Sequence, residues 1–352
     1  MRHAALLLCL LGMLVAAAPA GAAVPRHWLG VDADGPMTDG SDRESEWALI
    51  AASGATSVRA AFHWPHGQPT GAATTDFTAS DGIVLAAARH GLLVVPVVQF
   101  TPAWAAAVPG DPASPPRDAA DYGRYLQALV GRYGPRGSLW SEHPELKRRP
   151  IRDWQIWNEP NIDRYWSTQP FAKSFVRLLR TARKALRQAD PGARAILAGL
   201  PNTSWAALRS IYGAGGRGTF DAVALHPYTG KPANVVKLVV LTRRVMRRYR
   251  NGRMPVWVTE LSWPASRGKT TSGGGFETND KGQAQRLRKG LVLLAAARRR
   301  LRIERVYWYT WLSAEQGPSA FGWSGLRRLR GGEVVSAPSL SAFRKTAKLL
   351  RR

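Results

Sequence analysis

Of 352 residues only one is cysteine, Cys9, and it lies inside the first apolar run. A chain that begins after that run has no thiol. Disulfides, thiolate metal centres and cysteine nucleophiles are thereby excluded. Histidine is scarce too, with seven residues and a single close pair, His63 and His66. Metal sites that need clustered His and carboxylates at strand ends have little to draw on, so no metal and no cofactor is expected. Acidic residues number 24 against 50 basic ones, for a formal net charge of +26. Beyond residue 23 no apolar run reaches the ~20 residues of a membrane helix, and the mean hydropathy is −0.23.

What is present begins with a leader pattern. Arg2 and His3 precede an apolar run from Ala4 to Ala18 that only Gly12 interrupts, and Pro19 and Ala20-Gly21-Ala22 follow. A polar start, a short apolar stretch and small residues read as a secretory signal over residues 1–23, cleaved after Ala22 or Ala23. The competing reading, an uncleaved anchor, has a short run and lacks stop-transfer charges. Residues 24–352 are then a secreted protein with no further span, and no repeat or long linker divides them.

Two patterns alternate along that domain. Apolar or β-branched runs fall near 28–32, 56–62, 92–99, 153–158, 194–199, 220–226, 255–260 and 303–310. Near-continuous apolar runs of this length read as buried parallel strands. Segments with helical spacing lie between them, near 42–53, 81–90, 118–133, 170–189, 203–213, 233–250, 281–300 and 338–350. Strict alternation predicts a parallel sheet, and eight units in one domain predict a single (β/α)8 TIM barrel of the α/β class. The Rossmann alternative is weakened because no glycine-rich fingerprint follows the first strand.

Active sites of such barrels lie at the C-terminal ends of the strands. The fourth strand ends Trp157-Asn158-Glu159-Pro160-Asn161, and the seventh reads Val256-Trp257-Val258-Thr259-Glu260-Leu261. A Glu closing an apolar strand is costly to bury unless it is paired or functional. Either residue alone could be a surface carboxylate or a structural ion pair; two at matching positions point to chemistry. If Glu260 faces inward, simple alternation puts Val256 and Val258 on its side.

These motifs resemble those of the clan of retaining (β/α)8 glycosidases, and most closely families 39 and 5. The resemblance covers nearly all of the chain after the leader. It implies Glu159 as general acid/base and Glu260 as nucleophile. It implies substrate-site roles for Arg59 on the second strand, Asn158, and His226 and Tyr228 after the sixth. It also implies a Trp at the eighth strand end as the floor of a sugar subsite. Trp308 and Trp311 are the candidates; they cannot both face the axis, because side chains alternate along a strand, and Trp311 is favoured. The third strand departs from the family 5 pattern, with Gln99 and Phe100 where many members have a His.

The expected reaction is hydrolysis of β-glycosidic bonds by double displacement, with a carbohydrate as the partner. The rival is a barrel at the cell envelope that binds carbohydrate without cleaving it. Trp28, Trp47 and Trp154 read as core. Trp64, Trp104, Trp166, Trp205, Trp263, Trp308, Trp311 and Trp323 fall near strand ends and suit stacking on sugars. Asp32, Asp34 and His63 are weaker candidates for substrate contact. The loop 265–281 reads as a lid over the cleft or as a surface insertion. The positive charge fits compositional bias or association with acidic cell-envelope polymers. No zinc or aromatic–basic motif supports nucleic acid.

Overall fold

The computed structural model describes residues 23–352 except 42, 202 and 272. The leader expected over residues 1–23 thus lies, but for its last residue, outside the described residues. Eight parallel strands close into a barrel in sequence order. They are β1 (Leu29–Asp32), β2 (Ser57–His63), β3 (Leu93–Gln99), β4 (Asp153–Asn158), β5 (Arg194–Pro201), β6 (Val223–His226), β7 (Val256–Leu261) and β8 (Ile303–Trp308). Closure is made where β1 pairs with β8, Leu29 opposite Val306 and Gly30 opposite Tyr307. Gly30 is required there, since a Cβ would lie 2.5 Å from the Tyr307 ring. Trp28 donates its indole N–H to the Ile303 carbonyl at 3.0 Å and seals the same seam.

Amphipathic helices cover the barrel close to the segments read from spacing, at Ala119–Tyr133, Ala172–Ala189, Pro232–Arg248, Asp280–Leu301 and Pro338–Leu350, among others. Asp118 caps the first of these by accepting from Ala120 N, and Asn279 caps the fourth by accepting from Gly282 N. Among the described residues no helix is long and apolar enough to cross a membrane. Three short strands were not foreseen: β9 (Leu312–Ala314), β10 (Arg327–Arg330) and β11 (Glu333–Ser336) form a small sheet after β8. At three or four residues each they carry too little pattern to read from sequence.

The core has two parts. One lies between strands and helices. The other, made of Val95, Ile196, Ala222, Ala224, Trp257 and Tyr307, is the plug inside the barrel. Trp257 anchors it. The guanidinium groups of Arg194 and Arg305 pack on its ring, 5.5 and 4.8 Å from the centroid, and its N–H donates to Glu304 Oε2 at 3.0 Å. This corrects the alternation expected for β7: Trp257 faces the axis, while Val256 and Val258 pack outward. Without a break, Glu260 would also point outward. The β7–β8 register shifts between Val258 and Leu261, and this irregularity re-aims Glu260 into the barrel mouth.

Candidate active site

A second break in alternation serves β4. Gln155 points to the axis and accepts from Arg59, so Trp157 should do the same. Trp157 instead has φ +67 and Glu159 has φ +42. Left-handed backbone at a bulky residue is unfavourable by ~1–2 kcal/mol and persists only where packing enforces it. Here Trp157 swings out against Tyr122 and Trp166, and its N–H donates to the Tyr165 carbonyl at 2.6 Å. Consecutive residues Asn158 and Glu159 both then reach the mouth, where they line one cavity of about 1050 Å³ with Glu260.

Arg59 organises this polar layer. It is 2% exposed. Its Nη1 donates to Asp32 Oδ1 at 2.6 Å and to Glu260 Oε1 at 2.9 Å. Its Nη2 donates to Asn158 Oδ1 and its Nε to Gln155 Oε1, both at 2.9 Å. Burial opposes the guanidinium charge, but Asp32 and Glu260 outweigh it and hold Arg59 protonated. On its other oxygen, Oε2, Glu260 accepts from the Tyr228 hydroxyl at 2.6 Å. Burial, reinforced by the Glu260 charge, pushes the Tyr228 phenol well above its ordinary range, so it stays a donor.

Glu159 sits in a different setting. Burial raises its carboxyl to about 7, against the opposing fields of Arg164 and Arg59. Arg164 Nη2 approaches no closer than 3.9 Å. The two carboxyl groups therefore differ in kind: Glu260 is clamped by a cation and a phenol, while Glu159 is set up to keep a proton near neutrality. His226 lies beneath both. Its Nδ1 shares a 2.7 Å hydrogen bond with Glu159 Oε1, and its Nε2 is 3.4 Å from Glu260 Oε1. Burial lowers this imidazole to about 3, so it is neutral. Its seat depends on Gly199 of β5, where a Cβ would fall 1.8 Å from His226 Nε2.

One atom each from Glu159, His226 and Glu260 lie within 4.8 Å of one another and could converge on a cation. Arg59 already supplies positive charge to Glu260, and the chemistry available to two unlike carboxyls needs no metal.

Six of the eight expected site residues come together: Glu159, Glu260, Arg59, Asn158, His226 and Tyr228. His226 is wholly buried and does not line the cavity, so it supports the carboxyls rather than touching a ligand. Trp308 and Trp311 require correction. Both are fully buried, and neither lines the cavity. Trp308 donates to the Ser324 carbonyl and Trp311 to Glu46 Oε2. Tyr309, between them, lines the mouth instead. The same holds for the other tryptophans expected to stack on sugars: none of them lines the cavity. Trp47 is core as expected, and it also borders the cavity.

Rings that sequence reasoning missed form the wall: Phe100, Tyr165, Phe321 and Tyr309. Phe100 and Tyr165 stack at 6.3 Å, and Phe100 has φ +66. Phe100 stood directly after Gln99 at a strand end, which was the available signal. Asp34 and His63 line the cavity. Asp32 lies below it, against Arg59. Gln99 meets His63, their side-chain nitrogens 3.1 Å apart. Loop 265–281 is tied at its base by Thr278 N to Pro264 O and Arg267 N to Thr278 O. Its Phe276 stacks on Tyr228 at 5.2 Å, so it buttresses the wall behind Glu260.

The fold and site define a closed eight-stranded α/β barrel with two unlike carboxyls at the ends of its fourth and seventh strands. No protein-family model matches the sequence, and no curated protein does. The architecture is similar to that of solved family 39 and family 5 glycoside hydrolases. It is similar to a family 39 glycoside hydrolase from the gut symbiont Bacteroides cellulosilyticus WH2, with a TM-score of 0.71 at 20% identity over 94% of this chain and 64% of that one. The family 39 enzyme of Xanthomonas axonopodis pv. citri gives 0.66 at 19% identity, over 92% and 67%. A family 5 subfamily 18 protein from Streptomyces cattleya, solved with Manβ1-4GlcNAc, gives 0.67 at 16% identity, over 92% and 81%. This chain spans about two thirds of the length of the two family 39 structures.

Proposed function

We propose that this protein is a secreted retaining β-glycosidase acting on an oligo- or polysaccharide, and that acidic cell-envelope polymers lie near its place of action. The observation that carries the reaction is the pair of carboxyls. An oxygen of each lies within 4.8 Å of the other. Retaining enzymes hold their carboxyl groups about 5–5.5 Å apart, and inverting enzymes about 6.5–9.5 Å.

Glu159 begins protonated and donates to the glycosidic oxygen as the bond to the leaving group breaks. Glu260, ionised, attacks the anomeric carbon and forms a glycosyl ester. Arg59 and Tyr228 hold its carboxylate for in-line attack. Asn158, its Oδ1 fixed by Arg59, presents its amide N–H groups to a sugar hydroxyl. Glu159, now a base, takes a proton from water, which cleaves the ester and restores both groups.

The test is hydrolysis of a panel of aryl β-glycosides and envelope or plant polysaccharides. Wild type should turn over at least one, Glu260→Ala should abolish turnover, and azide should restore Glu159→Ala on an activated aryl substrate. A folded wild type that binds glycans and cleaves none of them would replace this reading with the carbohydrate-binding one.

A further inference from the structure

The positive charge is not spread evenly over the barrel. Helices run opposite to the parallel strands, so their C-terminal ends gather at the base, away from the mouth. There the last turns carry Arg187, Arg247, Arg248, Arg299, Arg300 and Lys348. Cations in a last turn complement the helix dipole, but the loops beyond the helices add more: Arg250, Arg253 and Arg302, with Lys147 and Arg148 before β4. Arg247, Arg248, Arg299 and Arg300 are exposed, and among the described residues none forms an ion pair.

The mouth is different. Its cavity is lined by Asp34, Asp39, Glu44, Asp76, Glu159 and Glu260. Two of its arginines, Arg43 and Arg59, are each paired with a carboxylate. The charge is therefore polar along the barrel axis.

Two further features reach the cationic side. A groove of about 710 Å³ runs along the flank of the barrel between helices Asp280–Leu301 and Pro338–Leu350, from Ala284 and Pro338 at their mouth-side ends to Leu349 at the base. Its apolar lining includes Ala284, Ala342 and Leu349, its rim Arg288, Lys345 and Lys348, and no acidic residue lines it. Leu349 is 50% exposed. At the foot of the second helix, Val24 N donates to Leu350 O at 2.8 Å and Arg298 Nη2 donates to Ala23 O at 2.9 Å.

We propose that the base of the barrel docks on an anionic phospholipid surface. Phosphates of the headgroups meet the unpaired arginines, and Leu349 at the base end of the groove takes the apolar part of the contact, as on other interfacial surfaces. The cavity then opens away from the bilayer. This holds whether or not the glycosidase reading does. Near an anionic leaflet each cation strengthens binding about fivefold, within roughly a Debye length.

The test is co-sedimentation of the purified protein with vesicles of phosphatidylcholine alone and with phosphatidylglycerol added, at physiological salt. Binding should require phosphatidylglycerol. Reversing Arg247, Arg248, Arg299 and Arg300 to Glu should weaken it by about 100-fold or more. Reversing Lys231, Lys269 and Lys281 on the mouth side should change it by less than about tenfold, and Leu349→Ser should weaken it without altering net charge. Three results would overturn the proposal: no binding to phosphatidylglycerol vesicles, equal losses from base and mouth reversals, or a soluble polyphosphate bound as tightly as the vesicles.

Discussion

Glu159 is 5% exposed, and its carboxyl is raised from 4.5 to about 7. Two pH effects follow. Turnover needs the protonated acid, so kcat/KM should fall as pH rises through about 7, checked by a pH–rate profile. Stability moves the same way. The native state keeps a proton that the unfolded chain releases above its own lower value, so this contribution is present below the unfolded value and lost as pH rises through the folded one. Glu159→Gln should therefore match wild type near pH 4 and exceed it above pH 7, by up to about 3 kcal/mol. Urea titrations at the two pH values measure this, and equal stabilities at both would contradict it. Tyr228→Phe removes a 2.6 Å hydrogen bond to a charged acceptor, worth about 1.5–3 kcal/mol. Steady-state kinetics should show kcat lower by about 10- to 100-fold with KM little changed, if the bond matters most as Glu260 reacts. Gly199→Ala places a methyl on the His226 ring. It should displace the support beneath both carboxyls, and activity should fall far more than the melting temperature does.

Individual elements show where sequence reasoning holds and where it stops. Buried parallel strands are long apolar runs, so all eight were legible, as were the helices between them. The facing of side chains at strand ends was not. Glu260 obeys a register shift in β7 and Glu159 a left-handed Trp157 in β4. Both are tertiary events, enforced by packing that a period of two cannot express. The eighth strand fails for a related reason. A Trp was expected at the mouth, but Trp308 and Trp311 both find buried acceptors, and Tyr309 takes the place beside the cavity. The pair of substitutions Trp311→Phe and Tyr309→Ala separates these roles. Trp311→Phe leaves Glu46 without one buried donor and should lower stability by about 1–3 kcal/mol with little change in KM. Tyr309→Ala should raise KM with little loss of stability. A reversed pattern would restore Trp311 to the sugar site.

At the scale of the whole molecule, a net charge of +26 on 352 residues is self-repelling. Several carboxylates are already engaged in pairs or clusters, as Asp153 is with Arg194 and Arg305 beneath the barrel, so the surplus is mostly arginine. Screening should relieve it. The melting temperature should rise between roughly 10 mM and 300 mM sodium chloride, over which the Debye length shrinks from ~30 Å to less than 10 Å. A melting temperature that falls over this range would mean that attractive pairs dominate the surface. The resemblance in architecture to family 39 and family 5 enzymes belongs to this scale as well. It describes the barrel, and the two carboxyls have to be tested on their own.

The clamp on Glu260 has a consequence in time. Arg59 has two carboxylate partners, Asp32 and Glu260, on one nitrogen. In the proposed cycle the ester erases the charge on Glu260 and leaves Arg59 with Asp32 alone. Less of its field is then cancelled, and more of it reaches Glu159, where it favours the deprotonated form. A side chain that never moves would thus tell the acid when to become a base.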